Sequence, residues 1–423
     1  MAADPFADLI EPFSRRGVDL GLERLQAALA DLGHPEQRFA AVQVAGTNGK
    51  GSIATLVHRS LLAAGIHAGL YTSPHLVSWT ERIRLGGDPI STENLRRQLQ
   101  SARAAGERHG LTPFELVTAA AWLAFAEATC ELVVLEVGLG GRLDATSCHP
   151  DRSVIGFATV GLDHREFLGP DLASIAGEKA GVLQTGAVAV SAPQAPAVAA
   201  ILKERARATG AELRWVPPLP RRAEGRLEIG GQWSRCGLAG AVQASNGAVA
   251  VGMLQALAER GWAIPLKAIQ AGFAAARWPG RLEQLTWQGL PLLLDGAHNP
   301  PAAEVLRQEL DTDPSIHGLA AGPRHWVIGM LANKQGPEIL QALLGPSDRA
   351  WIVPVPSHSC WSRASLAEAL PRQAHQLEAA ETAAAAIHAA HRAAGGRRVI
   401  LAGSLYLIGD LLTGTPADSS APE

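Results

Sequence analysis

The sequence predicts an α/β protein: a P-loop-containing, mostly parallel sheet domain followed by a smaller α/β C-terminal domain. Three observations carry this expectation. Short apolar runs of strand length alternate with longer stretches of helical periodicity, the pattern of a parallel sheet covered by helices on both faces. The run Val42-Gln43-Val44-Ala45-Gly46-Thr47-Asn48-Gly49-Lys50-Gly51-Ser52 reads as a strand, a glycine-rich turn and the start of a helix. After the breakers Trp278-Pro279-Gly280-Arg281, the alternation restarts at Leu292-Leu293-Leu294-Asp295.

At 423 residues, a prior of roughly 150 residues per domain gives two or three domains. Hydrophobic residues make up 47% of the chain, enough for sizeable cores. Lys+Arg 37 against Asp+Glu 40 leaves a net charge of −3, which argues against a nucleic-acid binder but leaves room for a local basic pocket. Cys130, Cys148, Cys236 and Cys360 are scattered without a C-x-x-C pair, so a zinc site or disulfide framework is not expected. The start, Met1-Ala2-Ala3-Asp4-Pro5, has no signal-peptide core, and no uncharged apolar run is long enough to span a bilayer. The expectation is a soluble cytoplasmic protein that binds neither membrane nor nucleic acid.

Along the chain, residues 1–40 read as mostly helical, with Leu22, Leu25, Leu29 and Leu32 as a core stripe that Gly33 can end. In the next unit, Val42 and Val44 alternate as a strand. Ile53, Leu56, Val57, Ser60, Leu61 and Ala64 then recur at helical spacing. A helix N-terminus offers unpaired N–H groups and partial positive charge, and glycines let the preceding backbone wrap around phosphate oxygens. Lys50 can reach the β/γ-phosphates and the Ser52 hydroxyl can face magnesium. The loop departs from G-x-x-x-x-G-K-[ST], because a glycine follows the lysine. The bland alternative is a glycine-rich turn with a surface lysine.

Residues 67–72 form a second expected strand, leading into the polar loop Ser73-Pro74-His75-Leu76 and on through Trp79, Glu81, Arg82 and Arg84. Loops at the carboxyl ends of strands in open α/β sheets are where ligands bind. A charged helix over residues 93–109 is followed by Thr112-Pro113-Phe114-Glu115 and an apolar helix through Ala128. The buried-strand run 132–136 ends in Glu136, which is placed either to act on magnesium or to cap a helix. A second glycine-rich loop covers residues 138–146. Residues 153–159 read as another strand, followed by Val160-Gly161-Leu162-Asp163-His164. Residues 214–240 look like a β-rich excursion before a helix near Asn246. Further strands are expected at 326–329, 350–353 and 399–402. The domains expected are 1–286 and 287–413, with 414–423 a disordered tail.

In this order, the segments 46–52, 71–76 with Thr80-Glu81-Arg82, 135–146, 161–164, Glu178-Lys179-Ala180-Gly181, Gly280-Arg281, 295–300 and Gly403-Ser404-Leu405-Tyr406 resemble the folylpolyglutamate synthase and dihydrofolate synthase family of the Mur ligase superfamily. The first domain is then of the Mur central-domain type. The resemblance implies ATP-dependent amide ligation: ATP phosphorylates a folate carboxylate, and the amine of L-glutamate displaces the phosphate. It implies that Thr47, Asn48, Gly49, Lys50, Gly51 and Ser52 hold the triphosphate, with Asn246, Arg281 and Asp295 also on ATP. Ser73, Glu136 and His164 would bind Mg2+, and a carbamylated Lys179 would hold a second ion. Lys50, Lys179 and His298 would be catalytic, with Asn299 beside His298. Thr112, Pro113, Phe114, Glu115, Leu143, Asp144 and Ala145 match positions lining the pterin side. The partners implied are dihydropteroate, reduced folates, L-glutamate and ATP, acting on a monomer. A ligase that only lengthens folate tails, a cell-wall Mur ligase and a non-ligase P-loop ATPase stay open as alternatives.

Overall fold

The computed structural model describes residues 4–14, 17–222, 225–313, 316 and 322–413; the tail expected at 414–423 lies outside them. The chain divides into two compact units. One comprises residues 2–238 and 243–277; the other takes residues 239–242 and everything from 278 onward.

In the first unit, eight strands share one sheet: β1 (Ala40–Ala45), β2 (Ala68–Tyr71), β3 (Ile83–Leu85), β4 (Asp88–Pro89), β5 (Leu132–Glu136), β6 (Arg152–Phe157), β7 (Val188–Ser191) and β8 (Glu212–Trp215). Their order is β4-β3-β2-β5-β1-β6-β7-β8. Only the β2–β3 and β3–β4 pairs are antiparallel. β1 lies between β5 and β6, and Ala41, Val42, Val44 and Ala45 are fully buried, as a strand covered on both faces requires. Val44 stands opposite Glu136 of β5 and Gly156 of β6. This register sets Glu136 beside the end of the strand that feeds the glycine-rich turn.

Residues 79–85, expected as loop, instead make a 3-10 turn, Trp79–Arg82, and the short edge strand β3. Three residues are too few for a period to show. The 214–240 excursion contains β8 and then a three-stranded antiparallel sheet: β9 (Arg221–Arg222), β10 (Arg226–Ile229) and β11 (Gln232–Arg235). Gly230 and Gly231, both at positive φ, turn β10 into β11. Leu227 and Ile229 face inward and are buried.

The second unit has a six-stranded sheet of β12 (Glu283–Trp287), β13 (Leu290–Asp295), β14 (His325–Ile328), β15 (Arg349–Ile352), β16 (Leu377–Ala379) and β17 (Val399–Ala402), in the order β12-β13-β17-β14-β15-β16. All pairs are parallel except β12–β13. The division expected after residue 286 falls inside β12. A tight turn at Gln288-Gly289, both at positive φ, zips β12 onto β13, so this unit begins at Trp278. Among the described residues, no helix is long and apolar enough to cross a membrane.

Candidate active site

The glycine-rich turn connects β1 to the helix Lys50–Ala63, and Lys50 is that helix's first residue. Gly49, its N-cap, has φ 98°, and a Cβ there would lie 2.4 Å from Oδ1 of Asn246. Gly46, at φ 138°, would drive a Cβ to 2.7 Å from that of Ala158. Only glycine fits either position. Asn246 is buried in the first turn of the helix Gln243–Glu259 and donates to Oε1 of Gln243 at 3.1 Å.

The turn is fastened to the segment after β6. Backbone N–H groups of Thr47 and Asn48 donate to the Thr159 carbonyl at 2.8 and 3.3 Å. The Thr47 hydroxyl donates to the carbonyl of Gly161 and accepts from its N–H, both at 3.0 Å. Gln194, which the sequence reading missed, braces the far side: it accepts from Val160 N at 3.0 Å and donates to the Ala158 carbonyl at 3.0 Å. An isolated glutamine after a strand carries no signal of its own in the sequence.

Two lysines meet this turn. The Lys50 ammonium donates to the Thr47 carbonyl at 3.1 Å, and Lys179 Nζ donates to the Gly46 carbonyl at 2.8 Å. Lys179 belongs to the helix Leu172–Ala180 and is only 5% exposed. Burial pushes its pKa down to about 7, and the Lys50 charge adds to that, against weaker pulls upward from Asp163 and Asp144.

Glu136 is buried at the tip of β5, and its Oε2 accepts from Ser73 N at 3.1 Å. The structure therefore brings Ser73 and Glu136 together. His164 sits in the left-handed region at φ 52°, with Nε2 3.7 Å from Oδ2 of buried Asp163. Asp163 is an oxygen donor that the expected metal set omitted, although an acid beside a histidine after a strand was legible. Among the described residues, no three His, Cys, Asp or Glu side chains gather as a metal cluster.

Beyond Ser73, which precedes a cis Pro74, the loop is wound around Glu81. Its carboxylate accepts from the N–H groups of Leu76, Val77 and Ser78 at 2.8, 2.8 and 2.7 Å. Arg82 Nε donates to Nδ1 of His75 at 2.9 Å, and its guanidinium lies 4.3 Å from the Trp79 ring centre. Burial, with Arg82 adding to it, pushes the His75 pKa down to about 3, so the ring is neutral and accepts. Glu81→Ala is expected to speed limited proteolysis within residues 74–82 by about tenfold, the effect of about 1.4 kcal/mol on local opening. Cleavage at the wild-type rate would show that the loop is held by other contacts.

The residues matched to the pterin side divide into two groups. Thr112 and Glu115 form a capping box: Glu115 N donates to the Thr112 hydroxyl at 3.3 Å, and Thr112 N to Glu115 Oε2 at 2.8 Å. Arg24 clasps the same carboxylate at 3.2 and 3.3 Å. Pro113 is the first residue of the helix Pro113–Glu127, where its missing N–H leaves nothing unpaired. Asp144 is buried and accepts from Leu139 N at 2.9 Å and Thr146 N at 3.0 Å. Burial raises its pKa, against hydrogen bonds that lower it. Asp144 therefore caps a turn, and Ala145 is core. Pro113, Phe114 and Leu143 are the apolar side chains of this set that keep partial exposure; Phe114 packs on Gly138 and on Tyr71, at 6.0 Å between ring centres.

In the second unit, Asp295 ends β13. Its oxygens accept from Leu282 N and Ala297 N, each at 2.9 Å, and burial raises its pKa against the nearby Arg281 charge. His298 donates from Nδ1 to the Gly296 carbonyl at 2.8 Å, which fixes the orientation of its ring. Buried Asn299 caps the helix Pro300–Thr312 by accepting from Ala302 N at 2.9 Å. Arg281 donates to the Gly280 carbonyl at 3.2 Å.

Residues 280–414 match the family described as dihydrofolate synthetase, C-terminal domain. The chain is 36% identical to the dihydrofolate synthase/folylpolyglutamate synthase of Bacillus subtilis over 315 residues, 70% of this chain and 73% of that protein. Its structure is similar to that of Mycobacterium tuberculosis folylpolyglutamate synthase complexed with ADP and AMPPCP, with a TM-score of 0.88 and 29% identity over 98% of this chain and 100% of that one. It is also similar to the bifunctional folylpolyglutamate synthase/dihydrofolate synthase of Yersinia pestis complexed with AMPPNP and Mn ion, with a TM-score of 0.83 and 30% identity over 98% of each chain. A P-loop on a mostly parallel sheet, followed by a second α/β unit, defines the class as Mur-ligase-like. Within it, the chain belongs to the dihydrofolate synthase/folylpolyglutamate synthase family.

Proposed function

We propose that this chain is an ATP-dependent ligase that joins L-glutamate to dihydropteroate, forming dihydrofolate, and extends the polyglutamate tail of reduced folates. One observation carries the reading: two lysines, one at a helix N-terminus and one buried near neutrality, both meet the turn between β1 and that helix. The complexes and names of the relatives above support the substrates.

In this reading a substrate carboxylate oxygen attacks the γ-phosphorus, and the bond to ADP breaks. The unprotonated amine of glutamate then attacks the acyl carbon. The acyl carbon–oxygen bond breaks, phosphate leaves, and the amine's proton passes to solvent. The backbone of Thr47, Asn48, Gly49, Gly51 and Ser52 cradles the triphosphate, and Lys50 stabilises the charge of the transferring group. Asn246, next to Gly49, and Arg281, Asp295 and His298 in the second unit are assigned to the nucleotide side.

The donor chemistry fits magnesium, which takes one or two carboxylates and keeps its other positions for water and phosphate. Ser73 and Glu136 would hold it, with His164 or its neighbour Asp163. When bound, magnesium neutralises charge on the phosphoryl oxygens. Lys179, once neutral, adds carbon dioxide at Nζ with loss of a proton, and the resulting carbamate would serve a second ion. Phe114 and Leu143 are assigned to the pterin side, while Thr112, Pro113, Glu115, Asp144 and Ala145 shape the segments that carry them. The four free cysteines suit a reducing cytoplasm.

The test is phosphate release with ATP, magnesium and glutamate, run in parallel with dihydropteroate and with tetrahydrofolate. Release dependent on glutamate is expected with both. Release with tetrahydrofolate alone would reduce the assignment to a tail-lengthening ligase, and release without glutamate would make the protein an ATPase.

A further inference from the structure

The exposed face of the small β9–β10–β11 sheet has no role in the chemistry above. In the antiparallel register, Arg226 stands directly opposite Arg222 on one side and Arg235 on the other. Directly opposed residues project from the same face, so three guanidiniums form a row across three strands, spaced by about 4.8 Å per strand. All three are exposed. Trp233 shares the face, and the Arg222 guanidinium lies 4.0 Å from its ring centre. Glu228, opposite Trp233, is the one acid on this face among the described residues.

Like charges set directly opposite each other weaken a sheet. Some arginines elsewhere on the surface are matched to acids, Arg97 to Glu127, Arg103 to Glu107 and Arg214 to both Glu212 and Glu259, while others among the described residues, such as Arg205, Arg207 and Arg392, stand singly; Arg222, Arg226 and Arg235 differ in being aligned by strand register. Among the described residues, no ion pair joins an acid to Arg222, Arg226 or Arg235. Among the described residues, a chain with a net charge of −3 thus aligns three guanidiniums on a face that carries one acid, Glu228, at a cost in strand pairing. The opposite face of this sheet rests on the catalytic unit, with Leu227 packed against Gly247, next in sequence to Asn246.

We propose that this row binds the oligo-γ-glutamyl tail of a folate polyglutamate. The inference rests on the ligase reading, because that product is a polyanion with one carboxylate per added residue. It matches a row of fixed guanidiniums better than a single phosphate or a free amino acid does. Arginine suits the task because its planar fork pairs with carboxylates while it stacks on an aromatic ring.

The probe is a fluorescently labelled penta-γ-glutamate lacking a pterin, titrated by anisotropy into the full-length protein without nucleotide. Binding that weakens with salt is expected, with a loss of about tenfold or more in the triple variant R222Q/R226Q/R235Q. ATP-dependent phosphate release with a monoglutamyl folate should stay at the wild-type level in that variant, which also reports that it is folded. The single variant Arg226→Gln is expected to melt at or above the wild-type temperature, because a repulsion has been removed. Equal affinity in wild type and triple variant would overturn the proposal. So would tighter binding of penta-α-glutamate, which would reassign the face to acidic protein segments, or of a single-stranded oligonucleotide of equal charge. Failure of the ligase reading would show separately, as absence of glutamate-dependent phosphate release in the wild-type protein.

Discussion

Lys50→Ala is expected to lower turnover by about a thousandfold or more while leaving the fold intact, because a fixed positive charge at a transferring phosphoryl group acts where water is excluded. The structure supports both halves of this outcome. Lys50 is half-buried, and its ammonium donates to one carbonyl, that of Thr47, in its own turn. The turn keeps its shape without that bond: Thr47 remains tied to Thr159 and Gly161, and Gly46 and Gly49 retain their conformations. Alanine at the first position of the helix Lys50–Ala63 is also no burden on helix formation. The variant should therefore melt like the wild type while failing to release phosphate. Near-normal turnover in a folded Lys50→Ala protein would remove the P-loop assignment. The substitution carries a second consequence, since the Lys50 charge helps hold the Lys179 pKa down. Lys179 should titrate at higher pH in Lys50→Ala than in the wild type.

Such reasoning was open to the sequence only in part. The strand, turn, lysine and helix around residue 50 lie within one short stretch, so their order alone marks a candidate phosphate loop. Glu136 was legible for a similar reason, as an acid closing a run of buried-strand residues. Glu115 and Asp144 were not. An acid's role depends on which donors reach it, and Arg24, Thr112, Leu139 and Thr146 reach these two through tertiary contacts or a local turn. Pro113, expected on the pterin side, instead opens the helix Pro113–Glu127, a place that proline's missing N–H suits. The edge strand β12 alternates exposed and buried side chains against a single partner, too weak a pattern to outweigh the apolar run of β13 beside it. The three-arginine row is invisible to a reading of composition, because only the register of β9, β10 and β11 aligns residues 222, 226 and 235.

The burial of Lys179 belongs to the same hidden class, and it yields the second large effect. Lys179→Ala is expected to be nearly inactive, by about a hundredfold or more, and small carboxylic acids should partly restore its turnover by supplying an anion where the carbamate would stand. The stability of Lys179→Met tests the environment independently of activity. In the unfolded chain this lysine loses its proton near its ordinary value of 10.5; in the folded chain it does so near 7. Between those values the unfolded state binds the extra proton, so stability rises with pH across that window. Below pH 7 the folded protein carries the full penalty of a buried ammonium, on the order of a few kcal/mol. Above 10.5 the penalty is gone. Lys179→Met should therefore resist urea better than the wild type at about pH 6, and the two midpoints should converge as pH climbs toward 10. Carbon dioxide acts in the same direction, since it adds only to the neutral amine and so competes with the proton. Wild-type turnover should then rise with added bicarbonate most steeply near neutral pH, where protonated and neutral amine are balanced. A Lys179→Ala protein with near-normal turnover would end the carbamate assignment. A midpoint difference that does not change with pH would show that the amine is not held near neutrality.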